Sequence, residues 1–385
     1  MIHKLTLQNF KGIESAEVGL ERLTIFVGPN ASGKTSVLQA LHLLSQIANP
    51  DLSRNDATSV QASVAMLLKR EQATGLVRTN GQVRGRPFTL QAQISEAAKP
   101  SEAIAIEGSW EGNAFVLHFP THRPKPATFR NDAEAPPKEA LRDWGASSLL
   151  RFESRKLAEK SHAESITPRI QSDGSGLASV LAQMALNRPD DFAELQTALK
   201  AIVPQVVRVR LSLAEIIRQE METIRLDEQP IARAVSRKYS GHRILLDLMG
   251  ASDVPSEGAS EGTLLILGLL AVLFSTPRPK LVLLDDLDRG LHPKAQKDLV
   301  TQLRKLLERD PELQIIATSH SPYLVDHLDP KEVRLSTVLP DGTIRFAELM
   351  QHPDFERWKE VMRPGEFWST VGENWVGSVQ EKPHE

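Results

Sequence analysis

The sequence predicts an α/β fold with a mixed central sheet, flanking antiparallel strands and an inserted, mostly helical lobe. Three short apolar runs carry this prediction, at 23–27, 281–284 and 313–317. The first leads into a glycine-rich turn, the second into an acidic pair and the third towards a histidine. In parallel α/β sheets the polar ends of such strands share one edge. We therefore expect one site at that edge.

The glycine-rich turn at 28–35 reads Gly-Pro-Asn-Ala-Ser-Gly-Lys-Thr and fits the phosphate-binding pattern G-x-x-x-x-G-K-[ST]. A predicted strand precedes it and a helical pattern at 34–47 follows it, which disfavours a chance match. Loop N–H groups and the helix N-terminus would bind a triphosphate. Lys34 would contact its phosphates as a catalytic residue, and the Thr35 hydroxyl would hold Mg²⁺. The nucleotide-binding residues predicted here are Gly28, Pro29, Asn30, Ala31, Ser32, Gly33, Lys34, Thr35 and Ser36.

Composition limits the possible classes of protein. With 385 residues, 41% apolar and 25% charged residues, the chain has room for two domains or one elaborated α/β domain. A net charge of −3 means that any nucleic-acid contact must come from a local patch. The absence of cysteine excludes disulfides and thiolate chemistry. Without a signal-peptide pattern or an apolar run of the ~20 residues that span a bilayer, we expect a cytoplasmic protein with no membrane contact.

Flanking the nucleotide-binding elements, residues 2–20 and 88–119 have the alternation of antiparallel strands. The stretch 50–86 is polar and basic, which is ordinary for solvated surface, and a DNA-facing surface is the alternative. Prolines in 121–145 mark a lobe boundary. The predicted domains are a nucleotide-binding lobe at 1–145 and 258–330, an inserted, mostly helical lobe at 146–257, and a C-terminal hairpin with a tryptophan-rich tail at 331–385.

The acidic pair lies at the end of the apolar run 281–284. A carboxylate at the tip of a buried strand, Asp285, is suited to hold nucleotide-bound Mg²⁺. The next carboxylate, Asp286, would orient the attacking water as a catalytic group. His320 follows the third strand and can donate a hydrogen bond to a γ-phosphate. A lone histidine is more often structural, but its place behind the acidic pair favours a catalytic role.

A serine and a glycine, Ser260 and Gly262, lie directly before the apolar run 264–274. This is a weak motif by itself, because such residues commonly do no more than cap a helix. The hydroxyl and free N–H groups at a helix N-terminus are also a ready anion site.

The order of these elements resembles the ABC-type ATPase heads of the RecF, SMC and OLD branch, over nearly the whole chain to about Leu328. Residues 5–11 also look like the first strand of that branch, and residues 290–293 look like its stretch after the acidic pair. The resemblance implies a P-loop ATPase that binds ATP and Mg²⁺ between two dimerised heads. Ser260 and Gly262 match the signature positions that touch the partner's γ-phosphate, and His320 matches the switch histidine.

The chain departs from this pattern in three places. The usual second acidic residue is Glu, and the shorter Asp286 implies slow turnover. The signature Ala-Ser-Glu-Gly-Thr is divergent and is similar to that of RecF-like and defence relatives. Three glutamines, Gln72, Gln82 and Gln91, compete as the glutamine loop.

Two branches are disfavoured by what the sequence lacks. No heptad run extends through 146–257, so we expect no long coiled coil of the SMC type. Only 65 residues follow His320, too few for the nuclease domain of the OLD type.

In the tail, three of the five tryptophans, Trp358, Trp368 and Trp375, lie within the last 28 residues. These rings either anchor the tail on the ATPase body or form a docking surface for a partner. The segments 363–368 and 372–376 look like tails of small bacterial ATPases that work with a separately encoded effector.

The leading functional hypothesis is a slow ATPase that dimerises around ATP as a homodimer or higher oligomer and acts in a bacterial antiphage-defence or toxin-type system. It would control a separate effector nuclease or toxin. The alternative is a RecF-like repair ATPase that binds duplex DNA in its ATP-bound state. A nucleotide-binding scaffold with negligible turnover is a third hypothesis, and ATP rather than GTP rests on the resemblance.

Overall fold

The structure is a computed structural model that describes residues 1–47, 88–94, 102–111, 114–118, 147–226 and 229–378. Its strands are β1 Ile2–Phe10, β2 Ile13–Gly19, β3 Leu23–Val27, β4 Phe88–Ile94, β5 Glu102–Glu111, β6 Ala114–His118, β7 Ser147–Leu150, β8 Val206–Leu226, β9 Gln229–Leu248, β10 Ala251–Pro255, β11 Leu281–Leu284, β12 Gln314–Thr318, β13 Val333–Val338 and β14 Ile344–Glu348. Its α-helices are α1 Lys34–Ile47, α2 Ser154–Ala158, α3 Leu177–Asn187, α4 Pro189–Ile202, α5 Glu261–Leu273, α6 Pro293–Arg309, α7 Pro322–Val325, α8 Phe355–Trp358 and α9 Pro364–Val371.

The chain divides into two compact units. The first unit contains Met1–Leu149, Pro279–Asp288 and Leu303–Glu385, and the second contains Leu150–Arg278 and Arg289–Gln302. Nearly all of the predicted nucleotide site lies in the first unit, and the serine-glycine motif lies in the second.

A six-stranded sheet in the order β14-β13-β3-β12-β11-β7 is the centre of the first unit. Four of its strands, β13, β3, β12 and β11, run parallel, and β14 joins β13 as an antiparallel hairpin. The mixed sheet that the sequence predicts is confirmed. Burial on both faces explains why β3, β11 and β12 are mostly apolar and do not alternate with polar residues.

The flanking antiparallel strands form a second sheet of five strands, in the order β2-β1-β4-β5-β6. Helix α1 contributes Val37, Leu38 and Leu41 to a core that also contains residues of both sheets, such as Leu5 and Ile316. The helix that follows the phosphate loop is thereby fixed in position by apolar packing.

The second unit combines helices with a long β-hairpin, so the prediction that the insert at 146–257 is mostly helical is wrong. Its core contains Leu157, Leu181, Leu199 and Leu270, all fully buried. The hairpin pairs β8 with β9, from Val206 opposite Leu248 to Leu226 opposite Gln229, and β10 adds a third strand at its base. The sequence predicts a strand from Val206, but its 21-residue length was not anticipated. In its described part the outer hairpin has no buried face, so burial did not impose the regular alternation that identifies a strand.

Some predictions fall on residues outside the described ranges. These include the basic stretch 50–86 and two candidates for the glutamine loop, Gln72 and Gln82. The third candidate, Gln91, lies on β4 opposite Thr6 and Ala105. None of the helices in the described part of the chain has the length and apolar character needed to cross a membrane.

Candidate nucleotide site

The phosphate loop follows the fully buried strand β3 and ends in the first turn of α1. Three of its residues have positive φ: Gly28 at 138°, Ala31 at 63° and Gly33 at 87°. A Cβ on Gly28 would lie 2.3 Å from the carbonyl oxygen of Ser336 in β13. Glycine is therefore required at position 28 by both conformation and space.

The loop also has a long-range side-chain contact. Ser336 and Ser32 are both fully buried, and their hydroxyl oxygens lie 2.5 Å apart. The Pro29 carbonyl oxygen lies 2.8 Å from the Ser32 hydroxyl and the Val27 carbonyl oxygen lies 3.2 Å from the Ser336 hydroxyl, and the two hydroxyl protons are shared among these three contacts. Sequence reasoning missed Ser336, because it lies 304 residues from Ser32 in a hairpin with no motif of its own.

Lys34 lies within the curve of the loop and is only 5% exposed. Its Nζ donates to the carbonyls of Gly28 at 2.9 Å and Pro29 at 2.7 Å. Burial lowers the pKa of Lys34, while the nearby carboxylates of Asp286, Asp285 and Glu373 act to raise it. The amine is thus surrounded by oxygen atoms, and a phosphate could accept the same hydrogen bonds.

The structure brings the predicted metal-binding residues together. The Thr35 hydroxyl donates to Asp285, at 3.1 Å from Oδ1 and 3.2 Å from Oδ2. Asp285 follows the buried strand β11, and Thr35 lies in the first turn of α1. Hard oxygen donors beside a phosphate loop suit Mg²⁺, which usually takes one or two protein ligands and substrate phosphates. These residues therefore fit the ion that the resemblance implies.

The predicted catalytic pair also lies in one place. His320 Nε2 is 3.9 Å from Asp286 Oδ1, and both side chains are nearly half exposed. Asp286 has a φ of 57°, in the left-handed region, which aspartate adopts more readily than most residues. Asp288 accepts a hydrogen bond from the backbone N–H of His320 at 3.1 Å, a contact that sequence reasoning missed.

The serine-glycine motif is the start of α5 in the second unit. Ser260 is the N-cap residue, and its side chain accepts a hydrogen bond from the Thr263 N–H at 3.3 Å. Gly262 packs on the loop after Asp288, since a Cβ there would lie 2.3 Å from the carbonyl oxygen of Gly290. Glu261 pairs with Arg289 at 3.1 Å. The capping role is therefore present, and the Ser260 hydroxyl also lies 2.7 Å from the hydroxyl of Thr263.

The C-terminal tail packs on the segment after His320. Asp326 Oδ1 accepts the N–H groups of Gly365 at 2.9 Å and Glu366 at 3.0 Å, at the start of α9. Trp368 is 7% exposed and donates to Glu373 at 2.8 Å. This packing accounts for Trp368 as an anchor of the tail within the first unit.

Comparison with known proteins supports the ATPase assignment. A family model described as "AAA domain, putative AbiEii toxin, Type IV TA system" matches residues 109–326, and one described as "AAA ATPase domain" matches residues 1–82. The DNA replication and repair protein RecF of Bacillus cereus (strain G9842) is 24% identical over 107 residues. That match covers 28% of this chain and 26% of the relative's length.

Two solved structures are similar over most of the chain. The SMC head domain from Thermotoga maritima is 14% identical, covers 90% of this chain and 98% of its own, and gives a TM-score of 0.45. The Smc head domain with an extended coiled coil from Pyrococcus furiosus, bound to the C-terminal domain of ScpA, is 13% identical. It covers 94% of this chain and 99% of its own at a TM-score of 0.51, a likeness of fold alone.

The first family model covers more than half of the 385 residues, from the flanking strands past the acidic pair and the histidine. The predicted resemblance to RecF- and SMC-type heads is confirmed. The chain belongs to the AAA domain family described as a putative AbiEii toxin, and its fold is similar to that of SMC head domains.

Proposed function

We propose that this protein hydrolyses ATP slowly at the interface of a homodimer and uses the closed dimer as a switch. The observation that carries the proposal is the convergence of Lys34, Thr35, Asp285, Asp286 and His320 at one edge of the parallel sheet. These residues come from three strands that end side by side.

Each of these side chains has a distinct task in the proposed reaction. Lys34 would bind the phosphates, and Thr35 with Asp285 would hold Mg²⁺, which supplies charge stabilisation to the transferred phosphoryl group. Asp286 would accept a hydrogen bond from the attacking water, and His320 would contact the γ-phosphate beside it. Their separation of 3.9 Å is short enough for one substrate group to touch both. Ser260 and Gly262 would bind the γ-phosphate held by the partner.

The setting we propose is a bacterial toxin–antitoxin or antiphage-defence system, which the description of the matching family favours. A separate effector would receive the signal. The buried tail residues Phe367 and Trp368 give no support to the tail as its docking site, because they already pack within the fold. A RecF-like repair ATPase is the second candidate, favoured by the match to RecF.

Hydrolysis assays of point variants test the catalytic assignment. Asp286→Asn should bind Mg·ATP with near wild-type affinity and hydrolyse it at least about a hundredfold more slowly, since a general base typically contributes that much. Lys34→Met should lose nucleotide binding. Asp310→Asn is the matched control, because Asp310 precedes β12 at the opposite end of the strand from His320. A wild-type rate in Asp286→Asn would remove Asp286 from the mechanism.

DNA binding separates the two candidates. The repair hypothesis requires ATP-dependent affinity for duplex DNA that falls with salt and is lost on reversing Arg78, Arg84 and Arg86, which lie in the undescribed stretch. ATPase activity without such affinity would leave the toxin-type switch as the better account.

A further inference from the structure

We propose that Thr318 is a positioning residue of the nucleotide site. Its hydroxyl and carbonyl form hydrogen bonds with the three residues from Asp285 to Leu287 and thereby orient the carboxylates of Asp285 and Asp286. The inference deepens the proposed ATPase function and depends on it for its catalytic meaning. Nothing in the phosphate-loop pattern or in the acidic pair points to this residue.

Thr318 makes three hydrogen bonds to three successive residues, Asp285, Asp286 and Leu287, which we call the acidic turn. Its Oγ1 donates to Asp285 Oδ1 at 2.8 Å and accepts the backbone N–H of Asp286 at 2.8 Å. Its carbonyl accepts the N–H of Leu287 at 2.9 Å. A backbone N–H can only donate, so the single hydroxyl proton is left for the carboxylate. The directions of both bonds are therefore fixed.

The first consequence concerns the backbone of Asp286. Its φ of 57° is disfavoured for a residue with a Cβ and needs support from its surroundings. The bond from its N–H to Thr318 supplies that support. Because Thr318 is fully buried at the end of β12, the acceptor itself is held in place. The Asp286 carboxylate is thereby kept beside His320.

The second consequence concerns the Asp285 carboxylate, which receives two hydroxyl groups. One belongs to Thr35, which is also the expected metal ligand, and the other belongs to Thr318. Thr35 and Asp285 are the residues that would hold Mg²⁺, and their mutual hydrogen bond would then compete with the ion. The bond from Thr318 does not use Thr35, so it can orient the carboxylate in both states. A hydrogen bond of this kind to a metal ligand commonly affects metal affinity.

Strand register explains why the residue at this position matters. Leu284 of β11 pairs with Ala317 of β12 in parallel register. The next residues, Asp285 and Thr318, are therefore neighbours across the strand ends. A hydroxyl at position 318 can form hydrogen bonds with Asp285 and Asp286. Valine has the same shape as threonine but has neither a donor nor an acceptor in its side chain.

The test compares Thr318→Val with Thr318→Ser, in full-length protein. The readout is the Mg²⁺ concentration that gives half-maximal binding of ATP, alongside ATP affinity in EDTA. We expect the valine variant to need about 10- to 100-fold more Mg²⁺, with its affinity in EDTA unchanged. The serine variant should stay within a few-fold of wild type. Thr24→Val is the matched control, a buried threonine of β3 whose hydroxyl bonds the backbone of Glu21.

A second measurement needs no nucleotide. Asp286→Gly removes the cost of the left-handed φ, so Thr318→Val should lower the unfolding temperature less in that background than in wild type. Equal losses in both backgrounds, or a wild-type Mg²⁺ requirement in Thr318→Val, would overturn the proposal. If wild type binds Mg·ATP without hydrolysis, or binds no nucleotide, the proposed ATPase function fails, while the unfolding comparison still decides the role of Thr318.

Discussion

Position 28 shows how one residue type fixes the geometry of the phosphate loop. Its φ of 138° and the approach of Ser336 exclude any side chain, yet the same position begins the nucleotide-binding pattern. The conformation of the loop therefore depends on the backbone of β13 as well as on the loop's own glycines. The sequence motif reveals the glycines but not the contact with β13.

Gly28→Ala is expected to reduce ATP affinity at least about tenfold, a free-energy change of about 1.4 kcal/mol. The added Cβ must displace either the loop or the Ser336 backbone, 2.3 Å away. Isothermal titration with Mg·ATP measures the loss. Gly342→Ala is the control, since Gly342 also has positive φ but has nothing within 4 Å of the added Cβ. It should cost about 1–2 kcal/mol of stability and leave ATP affinity intact. Equal affinities for both variants would contradict the steric explanation.

At the scale of elements, the strands that carry the site were predictable because each is an apolar run with a polar end. β3 and β11 match the predicted spans, and β12 is shifted by one residue. Parallel register then places their polar ends together, which is why Asp285 and His320 could be predicted to lie at one edge of the sheet.

Other contacts could not be predicted, for physical reasons. Ser336 meets Ser32 only through the tertiary pairing of β13 with β3. The outer part of the β8–β9 hairpin has no buried face, so its sequence lacks the alternation that identifies a strand. The contact of Thr318 with Asp285 was partly predictable. Each residue directly follows the apolar run of its own strand, so a parallel pairing of the two strands would have placed them side by side.

The hairpin should tolerate shortening. Leu213, Ile217 and Met221 are 73%, 62% and 69% exposed, so the outer ribbon contributes little to the core. Replacing residues 218–237 by Asn-Gly should change the unfolding temperature by no more than about 2 °C and preserve ATP binding. Calorimetry and titration measure these values.

The base of the hairpin provides the contrast. A Cβ on Gly241 would lie 2.6 Å from the Ser161 carbonyl oxygen, so Gly241→Ala should destabilise by about 1–3 kcal/mol. If shortening the hairpin greatly lowers the unfolding temperature while Gly241→Ala leaves the free energy of unfolding unchanged, the stabilising contacts do not lie at the base of the hairpin.

The tail aromatics should act through stability. Trp368 is 7% exposed, and its truncation to alanine should cost about 3–5 kcal/mol, as for other buried aromatic residues. Denaturant unfolding measures this loss. Trp358→Ala is the comparison, because Trp358 is only partly buried, with the Arg357 guanidinium 5.3 Å from its ring centre. Little loss of stability in Trp368→Ala would return the tail to the docking hypothesis.

At the scale of the whole molecule, the candidate site residues divide between the two units. Lys34, Asp285, Asp286 and His320 belong to the first, and Ser260 with Gly262 belongs to the second. In the proposed dimer, each nucleotide would be bound by the first set of one chain and the second set of its partner. ATP would then be an obligatory part of the interface.

Light scattering of Asp286→Asn measures whether ATP drives dimerisation of this protein. With Mg·ATP the variant should have twice the monomer mass, because bound ATP is not hydrolysed, and it should return to monomer when ATP is removed. Adding Ser260→Asp should keep the protein monomeric with ATP bound, since aspartate preserves the helix cap but repels a phosphate. A monomer at saturating ATP, or a dimer indifferent to both ATP and Ser260→Asp, would contradict the account.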